Sequence, residues 1–60
     1  MCEATAYLVR DGKEEKLLES VDIVEPDDGK LRIVNIFGEQ KLVDAKIKKL
    51  NLVEHKIVLE

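Results

Sequence analysis

The chain holds one cysteine, Cys2, and one histidine, His55. A thiolate near a chain terminus has neighbours that an internal one lacks, namely the terminal amine and the adjacent backbone nitrogens. Sulfur and the amide nitrogen of the same residue close a five-membered ring around a metal ion. If Met1 is retained its amine adds a third donor, and if Met1 is removed the amine belongs to Cys2 itself. One chain still offers too few ligands for a closed site. Two chains related by symmetry offer two sulfurs and two nitrogens, a set that suits square-planar Ni(II) or Cu(II) better than tetrahedral Zn(II). The competing reading is a free thiol with no role, which is the commoner fate of a lone cysteine. Glu3 opposes a nucleophilic thiolate by like-charge repulsion, whereas a bound metal deprotonates sulfur outright, so metal binding survives this neighbour better than catalysis does.

The remaining reactive side chains are sparse. His55 is a possible second ligand, but its place at the opening of the last apolar run favours a structural role, hydrogen-bonding backbone at the end of the fold. There is no Ser/His/Asp set and no phosphate-cradling glycine loop. The carboxylates of Glu14, Glu15, Asp27 and Asp28 fall at turns, where solvated charge explains them. The sequence therefore does not read as an enzyme. Lys41, Lys46, Lys48 and Lys49 form a basic row, yet the exposed aromatics that stack bases on small RNA-binding barrels are missing, with Tyr7 and Phe37 the only two aromatic residues. The lysines read instead as a solvated edge that discourages strand-to-strand aggregation.

Thirteen acidic residues against ten basic ones leave a net charge of −3, which gives no field for a phosphate backbone and argues against nucleic-acid partners. No stretch approaches the roughly 20 apolar residues of a membrane span, and residues 1 to 12 lack the features of a signal peptide. A single thiol also suits a reducing compartment, so a cytoplasmic protein is expected. Sixty residues make a single domain, 1–60, that buries only about 60% of the surface its unfolded chain exposes. With no disulfide available, self-association is the remaining stabiliser, and a homodimer is expected.

The elements that must carry these residues are strands. The core residues are mostly Val, Ile and Leu, and turn signals recur at Asp11-Gly12, Pro26-Asp27-Asp28-Gly29 and Gly38. The alternation predicts strands over Glu3 to Arg10, Lys16 to Glu25, Leu31 to Phe37, Leu42 to Leu50 and His55 to Glu60, with a turn over Asn51 to Glu54. In the second, Leu17, Glu19, Val21 and Ile23 share one face and Leu18, Ser20, Asp22 and Val24 the other. In the last, Ile57 and Leu59 point inward. The expected fold is all-β, a small five-stranded antiparallel SH3-like barrel.

Met1-Cys2, "YLVRDGKEE" at 7 to 15, "GEQKLVDAKIKKLNL" at 38 to 52 and the closing "EHKIVLE" together resemble the CooT family. The resemblance spans essentially the whole chain and rests most specifically on the terminal cysteine and "HKIVLE". It implies a homodimer of SH3-like subunits that binds Ni(II) through Cys2 and helps deliver it to the nickel-iron-sulfur cluster of carbon monoxide dehydrogenase, a metallochaperone whose partners are the nickel enzyme or other maturation proteins. The HypC-type hydrogenase maturation chaperones also begin Met-Cys on a small barrel, but they usually have a longer C-terminal segment. A small RNA-binding barrel is the third reading, which the charge and the missing aromatics oppose.

Overall fold

The computed structural model describes residues 4–60. Its strands are β1 (Ala4–Arg10), β2 (Lys13–Asp27), β3 (Lys30–Asn35), β4 (Gln40–Val43), β5 (Ile47–Asn51) and β6 (Lys56–Leu59). They form one sheet in the order β4-β3-β2-β1-β6-β5. The all-β expectation holds, but the five-stranded antiparallel barrel gives way to six strands in a mixed sheet that is not closed. The pair β1–β6 is parallel, with Thr5 opposite Lys56 and Leu8 opposite Leu59, while the other pairs are antiparallel.

Two hairpins follow from short turn signals. Asp11 and Gly12 both take positive φ, 52° and 76°, and Asp28 and Gly29 repeat the pattern at 54° and 82°. Two consecutive left-handed residues make the type I′ turn, whose twist matches that of the flanking strands. Between these turns β2 runs for fifteen residues and serves two neighbours, pairing with β1 from Lys13 to Val21 and with β3 from Val21 to Asp27.

Ser20 marks the change of partner. Its φ is 56°, and an extra residue is inserted between the pairs Ala6–Leu18 and Ala4–Val21. Two further register shifts lie at Leu17, opposite the step from Ala6 to Tyr7, and between Val21 and Ile23. Each bulge advances the inward phase by one residue, so Leu18, Val21 and Val24, three apart, all meet the core. The predicted alternation through this strand, which put Leu17, Glu19, Val21 and Ile23 on one face, is corrected by these three shifts.

Ala6, Ile33 and Leu59 are fully excluded from solvent, with Leu8, Leu18, Val21 and Ile57 around them. The inward assignment of Ile57 and Leu59 therefore stands. The strand expected over Leu42 to Leu50 is two strands, broken at residues 44–46. Val43 and Ala45 pack against the core, and Ile47 pairs with buried Leu59. The two-residue period thus persists through a bend that alternation alone cannot detect.

The β3–β4 connection is built on Asn35, the buried polar residue at 4% exposure. Its Oδ1 accepts from the backbone N–H groups of Phe37 (3.0 Å) and Glu39 (2.9 Å), and its Nδ2 donates to Glu39 Oε1 at 2.7 Å. The side chain thus stands in for backbone partners through the turn. On the other side of the sheet, Lys56 ties β6 to the β1–β2 hairpin. Its Nζ donates to Glu14 Oε1 at 2.8 Å and sits 4.9 Å from the centroid of the Tyr7 ring.

These contacts make two predictions. Asn35→Ala leaves two backbone donors without their acceptor and should cost about 2 kcal/mol, read as a lower urea midpoint with an unchanged slope. The hydrogen bond to Glu14 raises the Lys56 pKa above its ordinary 10.5, so the pair's contribution is complete below the unfolded value and is lost as pH rises through the folded one. The stability gap between wild type and Lys56→Gln should stay level from about pH 7 to 9 and close above about 10.5.

Candidate functional site

Cys2 and Glu3 lie outside the described residues. The described chain begins at Ala4, and β1 is held on one side at Ala4 and on the other at Thr5. Ala4 pairs with Val21 of β2, and the next residue, Thr5, donates its backbone N–H to the carbonyl of His55 at 2.9 Å. The described start of β1 therefore lies in the interior of the sheet, between β2 and β6.

His55 is held by the turn that precedes β6. Asn51 Oδ1 accepts the Glu54 N–H at 3.0 Å, and Asn51 Nδ2 donates to Glu54 Oε1 at 3.1 Å. The Asn51 side chain thus holds both the backbone and the side chain of Glu54 and closes one tight turn. His55 takes φ of 54° and is exposed. Its structural contribution comes through the backbone carbonyl that receives Thr5, where the sequence pointed to the side chain. Sequence reasoning placed the turn at 51–54 but missed Asn51 as its builder; an Asn followed three residues later by Glu was the available signal.

A hollow of about 280 Å³ opens here, lined by Ala4, Leu50, Leu52, His55 and Ile57 among others. Its walls are apolar apart from the polar atoms of Asn51, His55 and Lys56. Leu50 and Leu52 are 53% and 81% exposed. A larger hollow, about 350 Å³, lies between β2 and the β3–β4 turn, around Lys16, Asn35 and Phe37, away from the start of β1.

The other charged candidates separate. Glu14 is taken up by Lys56, and Asp27 lies 3.9 Å from Arg32, whose guanidinium also bonds Glu25. Glu15 and Asp28 are exposed. Among the described residues, no group of three or more His, Cys, Asp or Glu side chains is placed to hold a metal ion. Lys41 is on β4 while Lys48 and Lys49 are on β5, two strands that do not pair with each other. Among the described residues no helix is long and apolar enough to cross a membrane.

No curated protein matches this chain. The crystal structure of a candidate CooT from Carboxydothermus hydrogenoformans is 51% identical to it, covers 98% of this chain and 95% of its own, and superposes with a TM-score of 0.91. The family model for CO dehydrogenase accessory protein CooT matches residues 1–60. The chain thus belongs to the CooT family, accessory proteins of CO dehydrogenase and not enzymes.

Proposed function

We propose that this chain is a nickel-binding metallochaperone for the maturation of carbon monoxide dehydrogenase, working in the cytoplasm as a homodimer that carries one Ni(II) on the Cys2 thiolates of both chains. The observation that carries the reading is the family match over residues 1–60, which includes a thiol at position 2. Nickel is cargo here, taken up and passed on to the enzyme.

The described fold supports this in two ways. Cys2 is two residues from Ala4, so covalent geometry keeps its Cα within about 7 Å of a residue paired with β2. A ligand on such a short tether loses little freedom when it binds. The open hollow beside Ala4 also leaves that end of the molecule accessible to a second chain or to a client. Chemically, thiolate paired with deprotonated backbone nitrogen favours a planar ion, so selectivity for Ni(II) over Zn(II) should exceed what the general order of divalent affinities supplies.

Nickel titration of wild type beside Cys2→Ser, with native mass determination, tests the proposal. Wild type should bind one nickel per dimer, with sulfur-to-nickel absorption in the near ultraviolet and proton release. Cys2→Ser should lose the absorption and keep fold and dimer. His55→Ala should stay within about tenfold of wild-type affinity, roughly 1.4 kcal/mol, as for a residue that does not touch the metal. Unchanged nickel binding in Cys2→Ser would place the metal elsewhere, and a monomer would remove the two-chain site.

A further inference from the structure

Strand β5 ends the sheet on the β6 side, and among the described residues no strand pairs with its outer edge. Just before it, Lys46 and Glu60 exchange both backbone hydrogen bonds, at 3.0 and 2.9 Å. In an antiparallel ladder the next residue is then a non-hydrogen-bonded pair. The N–H and C=O of Ile47, opposite Leu59, therefore point to the open edge.

The two faces of this edge differ in character. Ile47 and Leu50 pair with the core residues Leu59 and Ile57 and so share the core face, yet they remain 47% and 53% exposed. On the opposite face stand Lys46, one residue before Ile47, and Lys49, opposite Val58. Lys48 at the bulge reaches Glu60 at 3.6 Å, while Lys46 and Lys49 have no salt bridge among the described residues.

A second copy is a poor occupant of this edge. Pairing β5 with itself about a two-fold axis sets lysine against lysine, and like charges in adjacent strands are destabilising. An acidic strand meets the same lysines favourably. We propose that β5 binds an extended segment of another protein as an added strand, one that alternates apolar and acidic side chains. The apolar set covers Ile47 and Leu50, the carboxylates face Lys46 and Lys49, and backbone hydrogen bonds to Ile47 supply affinity. The inference goes beyond nickel carriage and does not depend on it.

The test uses two labelled heptapeptides, one alternating valine with glutamate and one alternating valine with lysine, followed by fluorescence anisotropy and by amide chemical shifts of the full chain. The glutamate peptide should bind wild type and shift the Ile47 and Leu50 amides, and Lys46→Glu/Lys49→Glu should weaken it at least tenfold and prefer the lysine peptide instead. Cys2→Ser should bind as wild type does, so that failure of the nickel reading and failure of this one are read separately. The proposal is overturned if neither peptide binds, if both bind alike, if the shifts fall away from β5, or if the Ile47 amide is already protected by self-association that dilution reverses.

Discussion

The sheet depends on the backbone of Ser20. A non-glycine residue with φ of 56° is unusual within a strand, and here it lets one fifteen-residue strand serve two partners in different registers. Without that inserted residue, Val21 would share a phase with Leu17 and Glu19, and one end of β2 would turn its apolar side chains to water. The Ser20 carbonyl also receives the Ile36 N–H at 2.9 Å, so the bulge is fastened to the end of β3 as well. The inward set Leu18, Val21 and Val24 and the placement of Ile33 beside it all follow from this local departure from regular pleating.

What the sequence made legible was local. The Asp-Gly pairs were read as turns and are turns, because two left-handed residues are a requirement that few residue types meet. Ile57 and Leu59 were placed inward, since a short run after a turn has only two phases. The irregularities at Leu17, Ser20 and Asp22 were not legible, because none of these residues is a glycine and β2 is apolar on both parities. The break after Val43 was hidden for a related reason: the core demands the same parity on both sides of the bend. The parallel pairing of β1 with β6 joins residues about fifty positions apart in sequence, and no window of alternation contains both.

The site was legible by type more than by arrangement. Cys2 stood out as the only thiol, and its family assignment follows from the whole chain. The surroundings of the start of β1 were invisible, since they are assembled from β2, β6 and the turn at Asn51. The lysines were read as guardians of a strand edge, and Lys48 and Lys49 do lie on one. A charged edge that repels copies of itself is also a filter, because the same charges that disfavour one strand favour another of opposite sign.

The parallel register of β1 against β6 has a consequence for how the molecule is made. Thr5 is tied to the carbonyl of His55, so the first described strand is locked by the last one. During synthesis β1 can form its hairpin with β2 early, but its other edge waits until residues 56–59 have left the ribosome. Contacts this distant in sequence are slow to form, because chain entropy must be lost before they contribute. Strand β1 therefore forms early on one edge and waits for residues 56–59 on the other. A copy that stops before β6 leaves one edge of β1 unpaired, so the anchorage of Thr5 depends on the synthesis of residues about fifty positions after it.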